Sequence, residues 1–307
     1  MGLSALFLMP ICMPTSARLS TTLLRIISAL LLVTLSACSA IKLGYNNAPS
    51  ILYWWLDGYL DFNDAQSLQV RDDLTTLHDW HRSQALPAYA DSLIRMQQLV
   101  PGKVSPEQLC TVATEVRFYM HQIGVKAAEP LSQLALSLRP SQFKYLAQQY
   151  EKKNKKWREE WLNLTPDELT EHRLKLAVDR AQNLYGRLQE PQRQLLRQSI
   201  ANSPFDAHLS YREIQRRQQD ILLTLAEHGN NAHRPVHVKA EVLALIERSL
   251  NSPDTAYRKQ QDRLIAEGCQ TLSKLHNSVT HAQRTKAMEM LKDYAADARI
   301  LTAQRPS

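Results

Sequence analysis

The chain has 307 residues, 44% of them hydrophobic, eight glycines and a formal charge of +7. Scarce glycine with abundant Leu, Ala, Gln and Arg favours helices over sheets, and the length allows one large domain or two small ones. Beyond the N-terminus no stretch approaches ~18 consecutive apolar residues, so no further membrane-spanning helix is expected and the body reads as soluble, hung from a bilayer surface.

The first 38 residues read as a bacterial lipoprotein signal. Arg18 and Arg25 precede an apolar run from Ile26 to Leu35, and Leu35-Ser36-Ala37-Cys38 closes it. A basic start, a short apolar core and small residues at the cut are secretory-signal features. Residues 1–37 are therefore expected to be a signal peptide, with Met1 or Met13 as the start. Cys38 is expected to carry a diacylglyceryl group and a further palmitate-type chain, because several chains hold a protein at a bilayer where one does not. Ser39 in place of Asp favours the outer membrane, by analogy with lipoprotein sorting, with the body facing the periplasm. The competing reading is a transmembrane anchor followed by a chance cysteine. Cleavage would remove Arg18 and Arg25, lowering the charge from +7 to +5.

Residues 38–50 read as a lipidated tether and 51–307 as a helical domain, with a possible subdivision near 201–206. Asn63 or Asp64 can cap a helix reaching about Ala85, with Val70, Leu74, Leu77 and Trp80 at helical spacing. Pro87 starts a segment that Pro101-Gly102 breaks. Ser105 caps the next helix, with Pro106 at its first position, and Pro130 and Pro140 punctuate the stretch after it. Thr165 and Glu168 form a capping box. Pro191 kinks that helix or starts its continuation, and Ser203-Pro204 ends it. Further helices are expected at about 206–228, 236–250, 254–277 and 281–303. No alternation is long enough for a strand. The expected fold is all-α, an antiparallel bundle of about eight or nine helices.

Three helix starts share an apolar–x–Pro–x–Gln/Glu–apolar pattern, at Val104 to Leu109, Leu138 to Phe143 and Leu164 to Leu169. Their unequal spacing argues against a solenoid and suits well-capped starts, with a functional repeat as the alternative. A second echo pairs Pro191-Gln192-Arg193 with Ala282-Gln283-Arg284.

Cys12 falls in the signal, which leaves Cys110 and Cys269 to form a disulfide in an oxidising compartment or to stay as buried thiols. Tyr45, Tyr53, Trp54, Trp55, Tyr59 and Phe62 crowd 18 residues. These rings suit a membrane–water boundary or a partner, or else the core. Lys152, Lys153, Lys155 and Lys156, followed by Trp157 and Arg158, suit anionic head groups, or else a solvated face balanced by Glu151, Glu159 and Glu160. Asp57, Asp61 and Asp64 form a carboxylate row suited to acid–base work or to a helix start. His78 with His81 has metal-like spacing, but no His-Glu-x-x-His pattern accompanies it, and His233 with His237 offers no more. The sequence has no haem-attachment motif, phosphate loop or nucleophile elbow, so neither cofactor nor metal is expected. The envelope address argues against nucleic acid despite the basic charge.

Cys38-Ser39-Ala40, Leu43 to Pro49 and Tyr53 to Phe62 resemble a family of Gram-negative helical lipoproteins defined only as a domain of unknown function. Leu275-His276-Asn277-Ser278, Gln283-Arg284 and the helix carrying Leu291, Tyr294 and Asp297 fit the same family. The resemblance implies an all-helical lipoprotein with no established activity, and hence no catalytic residues. Leu164-Thr165-Pro166-Asp167-Glu168 is also similar to the Leu-Thr-x-x-Gln signature of Spy/CpxP-type periplasmic chaperones, with Glu168 in place of Gln. The function expected is a non-enzymatic binding, scaffold or chaperone-like module of the envelope, bound through its lipid anchor and meeting an envelope protein or anionic lipid. The alternative is an envelope hydrolase acting on peptidoglycan or lipid through helix-borne carboxylates.

Overall fold

The computed structural model describes residues 41–229 and 235–304. Cys38 and the signal reading therefore lie outside the described residues, as does His233. Among the described residues the fold is all-α, with eleven long or medium helices and no strand. They are α1 (Ala48–Leu60), α2 (Asp64–Trp80), α3 (Leu86–Leu99), α4 (Pro106–Ser137), α5 (Pro140–Trp161), α6 (Pro166–Tyr185), α7 (Glu190–Ala201), α8 (Ala207–Gly229), α9 (Pro235–Leu250), α10 (Thr255–Ser278) and α11 (His281–Ala303).

Two departures raise the count above the eight or nine expected. The supposed tether is helical at 41–46, and α1 already begins at Ala48, because Pro49 suits a first helical turn. Asp61, in the left-handed region at φ 50°, then closes α1 before Asn63 caps α2. The segment 166–201 also divides, ending one helix at Gly186 and starting its continuation at Pro191, the second of the two readings given for that proline. Gly186 has φ 77°, which a side chain would strain, and Pro191 lies in the first turn of α7. Leu188, read as part of a helical stripe, sits in the intervening loop and is buried there.

Two prolines read as breaks are instead absorbed. Pro87 lacks an N–H and its ring would crowd the carbonyl four residues back. The chain widens into a π-helical turn over His81–Ala85 at that place and continues straight into α3. Pro130 lies inside α4, whose flanking Ala128 and Ala135 are packed against Val238 and Val242 of α9. The Ser132 hydroxyl donates to Ala128 O one turn back. At 32 residues α4 is about 48 Å long and serves as the spine.

Two apolar clusters flank that spine. One gathers Leu60, Leu138 and Leu146 with Phe62, Phe143 and Tyr150. The other gathers Leu174, Val178, Tyr185, Leu188, Leu196, Leu275, Val279 and Leu291. The described residues from Asn47 onward cluster as one compact unit. The Sγ atoms of Cys110 on α4 and Cys269 on α10 are bonded, with the Cα atoms 5.6 Å apart. They close a loop of 159 residues, a span over which a cross-link strongly restricts the unfolded chain.

Each cluster is sealed by one device. Gln66 and Gln142 stand at the third positions of α2 and α5 and complete the capping boxes there. Gln66 Nε2 donates to Gln142 Oε1 (3.2 Å), and Gln142 Nε2 donates to Gln66 Oε1 (2.9 Å). Each Oε1 also accepts its own cap N–H, from Asn63 and Arg139. Each Nε2 spends its other proton on the end of the neighbouring helix, Ser137 O for Gln66 and Leu60 O for Gln142. Gln192 and Gln283, at the third positions of α7 and α11, repeat this bond for bond. They pair at 2.9 and 3.0 Å, accept from Gln189 N and Thr280 N, and donate to Ser278 O and Arg187 O. A primary amide has two donors and two acceptor lone pairs. All four are used in each of these buried glutamines, so desolvation leaves nothing unmet.

Candidate functional site

The aromatic segment divides by helical face. Tyr53 is only 5% exposed. Its hydroxyl donates to Ser67 Oγ on α2 (2.9 Å), and the Arg71 guanidinium lies 3.4 Å from its ring centre. Phe62 and Tyr59 are partly buried against the Leu60 cluster. Burial pushes the Tyr59 phenol up, and burial followed by Tyr59 drives Tyr150 to about 12. Tyr53 thus packs into the body, and Phe62 does so in part. Trp54 and Trp55 remain 63% and 58% exposed, and Ile51 and Leu52 stand out beside them. Trp55 touches Tyr59 (5.1 Å between rings), which carries the exposed face toward the body.

The basic run on α5 divides too. Lys152, Lys153, Lys155 and Lys156 are exposed, and Asn154 between them is buried. Asn154 exchanges side-chain hydrogen bonds with Gln218 of α8, at 2.8 and 2.9 Å. Trp157 shares that inner side. It stacks on Tyr211 (5.3 Å) and on Trp161 (5.9 Å), and Trp161 meets Phe205 and His172. Trp157 therefore ties α5 to α8. The lysines point the other way, away from these contacts.

The carboxylate row has local uses. Asp57 Oδ1 accepts from Phe62 N (3.0 Å), Asp61 is exposed in its left-handed conformation, and Asp64 is exposed in the first turn of α2. His81 is packed edge-on to Tyr89 (5.2 Å), and burial, then His78, lowers its pKa. No group of three or more His, Cys, Asp or Glu suited to a metal occurs among the described residues.

Three other clusters emerge, and only the residues of the second are noted in the sequence, by family resemblance rather than for their contacts. On α8 the Glu213 carboxylate, 2% exposed, accepts from Arg216, Arg217 and Ser252. Burial alone would raise its pKa, but these bonds hold it below the ordinary value. Every carboxylate oxygen there faces a donor, so the group binds α8 to the α9–α10 turn. At the other end, His276 Nδ1 meets Tyr185 OH (2.9 Å), and Nε2 meets Gly102 O (3.1 Å). Arg284 reaches Val100 O and Gly102 O. Asn277 brackets Val104, donating to its carbonyl and accepting from its N–H. The segment Leu275 to Ser278 with Arg284 is thus a clamp on the α3–α4 turn. Third, a groove of about 560 Å³ runs beside the disulfide, lined by Ala113, Arg117, Phe118, His121, Leu250 and Ile265. Phe118 is 55% exposed at the mouth of this groove. Arg117 donates to Asn251 Oδ1 (2.7 Å), which fixes a cation at the groove wall.

A family of unknown function, DUF6279, matches residues 58–238. The chain belongs to that family. No curated protein and no solved structure matches it. The family segment runs from the end of α1 to the start of α9. It takes in the Gln66–Gln142 pair and Gln192, while Trp54, Trp55 and the His276 clamp lie outside it. The family carries no activity to transfer, and similarity to Spy/CpxP-type chaperones finds no support in these matches.

Proposed function

We propose that the chain is a non-enzymatic binding or scaffold module of the cell envelope, chaperone-like in presenting a broad surface, tethered to the outer membrane through acylated Cys38 and facing the periplasm. The observation that carries this reading is the groove on α4. An arginine held in place by Asn251, the exposed Phe118 ring and the apolar walls of Ala113, Leu250 and Ile265 offer a polypeptide partner both side-chain burial and an anchor for an acidic group. Exposed apolar surface of this kind is costly to keep bare and marks interaction sites. The lipobox ending at Cys38 and the clasped, rigid frame are consistent with it. Nothing in the geometry of Asp57, Asp61 and Asp64 favours the hydrolase alternative.

The test is a photo-reactive residue at Phe118, with one at exposed Gln198 on α7 as the reference. Irradiated cells are expected to yield discrete adducts with envelope polypeptides from position 118 and none from 198. Equal labelling at both positions, or none at 118, sinks the reading.

A further inference from the structure

The chain carries no charged side chain from Leu43 to Leu56, fourteen residues in all. The inner face of α1 is fixed to the body through the Tyr53–Ser67 bond and buried Leu60. Its outer side presents Ile51, Leu52, Trp54 and Trp55, four large apolar side chains in five residues. The Arg71 guanidinium lies 5.3 Å from the Trp54 ring, at the edge of the patch.

We infer that this outer face lies in the interfacial layer of a phospholipid bilayer. Ile51 and Leu52 enter the acyl boundary, the two indoles sit at head-group level, and Arg71 faces lipid phosphate. Three observations select lipid over a second copy or a protein partner. Indole rings favour the membrane–water boundary. The uncharged run brings no ionic group that would have to be desolvated. Ile51 is only thirteen residues from Cys38, a span of at most about 45 Å when fully extended. On the reading that Cys38 is acylated, on which this inference rests, α1 is held within reach of the surface its side chains suit. A second attachment of this kind sets the orientation of the body, which acyl chains alone leave free to swivel.

The test reconstitutes the membrane-extracted chain, as the cell produces it, into phosphatidylethanolamine–phosphatidylglycerol vesicles with bromines on the acyl chains. The five tryptophans are then read by fluorescence. Lipid-dependent quenching is expected in the parent chain and in Trp157→Phe with Trp161→Phe, and is expected to be lost in Trp54→Phe with Trp55→Phe. Helical circular dichroism checks that each variant is folded. Quenching that survives the Trp54/Trp55 change, or is absent in the parent, overturns the inference. Absent quenching with concentration-dependent dimerisation overturns it in favour of a second copy. The mass of the residue 38 adduct, read on the same sample, scores the anchor independently, so an acylated but unquenched protein defeats this inference alone.

Discussion

The joint between Gln66 and Gln142 and the joint between Gln192 and Gln283 use the same hydrogen bonds in unlike surroundings. The first closes the small cluster around Leu60 and Leu138, and the helix it holds, α1, is bare on its outer side. The second closes the larger cluster and is backed by Tyr185, His276 and Arg284 clamping the α3–α4 turn. The difference separates what a joint does from what it carries. Both lock two helix starts onto two helix ends, but one presents a surface while the other completes a frame.

The largest expected effect breaks the joints themselves. A carboxylate is acceptor-only at neutral pH. Gln142→Glu would turn it against both the Gln66 Oε1 and the Leu60 carbonyl, and Gln192→Glu would do the same against Gln283 Oε1 and Ser278 O. Each is expected to cost about 3 kcal/mol in urea unfolding, the scale of a buried polar group or charge left without its partner. If only one of the two is costly, the joints are equivalent in geometry alone. Alanine at both Gln66 and Gln142 should cost less than the sum of the single changes, because the second alanine removes a partner already orphaned.

An intermediate effect sharpens the asymmetry. Burial lowers the His276 pKa below 6.5, and Arg284 adds to the lowering, while the bond to Gly102 O opposes it. The unfolded chain then binds the proton first as pH falls. The stability this site contributes is complete above about pH 6.5 and is lost as pH drops from there through the folded-state value. His276→Gln should flatten the dependence of the urea midpoint on pH below 6.5, whereas Gln142→Ala, which adds no titrating group, should leave that part of the profile in place. A profile that His276→Gln does not change would remove the titrating group from the second joint. Tyr185, pushed up to about 12 by burial against the opposing pull of Arg284, stays protonated throughout this range.

Much of this architecture was legible in local sequence, and the reason is chemical. Ser105, Thr165 and Thr280 cap helices because their hydroxyls meet the third backbone N–H, a contact within four residues. The starts of α4, α5 and α6 and the extents of α8 to α11 could therefore be read from spacing. The hidden part depends on partners far along the chain. Gln142 meets a residue 76 positions away and Gln192 one 91 positions away. The apolar–cap–x–x–Gln signal at 62–66, 138–142, 188–192 and 279–283 was readable, but not the pairing. Nor could sequence separate Trp55, which is bare, from Trp157, which stacks on Tyr211, since both lie on aromatic-rich helices.

The smallest expected effect comes from a capping box that has no joint. Glu168 stands at the third position of α6, as the four glutamines do in their helices, and accepts from Thr165 N and Oγ1. It is exposed and faces no second glutamine. Glu168→Gln keeps an acceptor for the Thr165 N–H, so the urea midpoint at neutral pH should not move measurably. The difference should appear only in acid. The Thr165 backbone bond, then its side-chain bond, hold the Glu168 carboxyl below 4.5. Its contribution is present above about pH 4.5 and fades as pH falls through the folded-state value, whereas the amide does not titrate. A Glu168→Gln chain as damaged as Gln142→Glu would mean that the box itself, and not its burial against a second helix start, carries the stability of these joints.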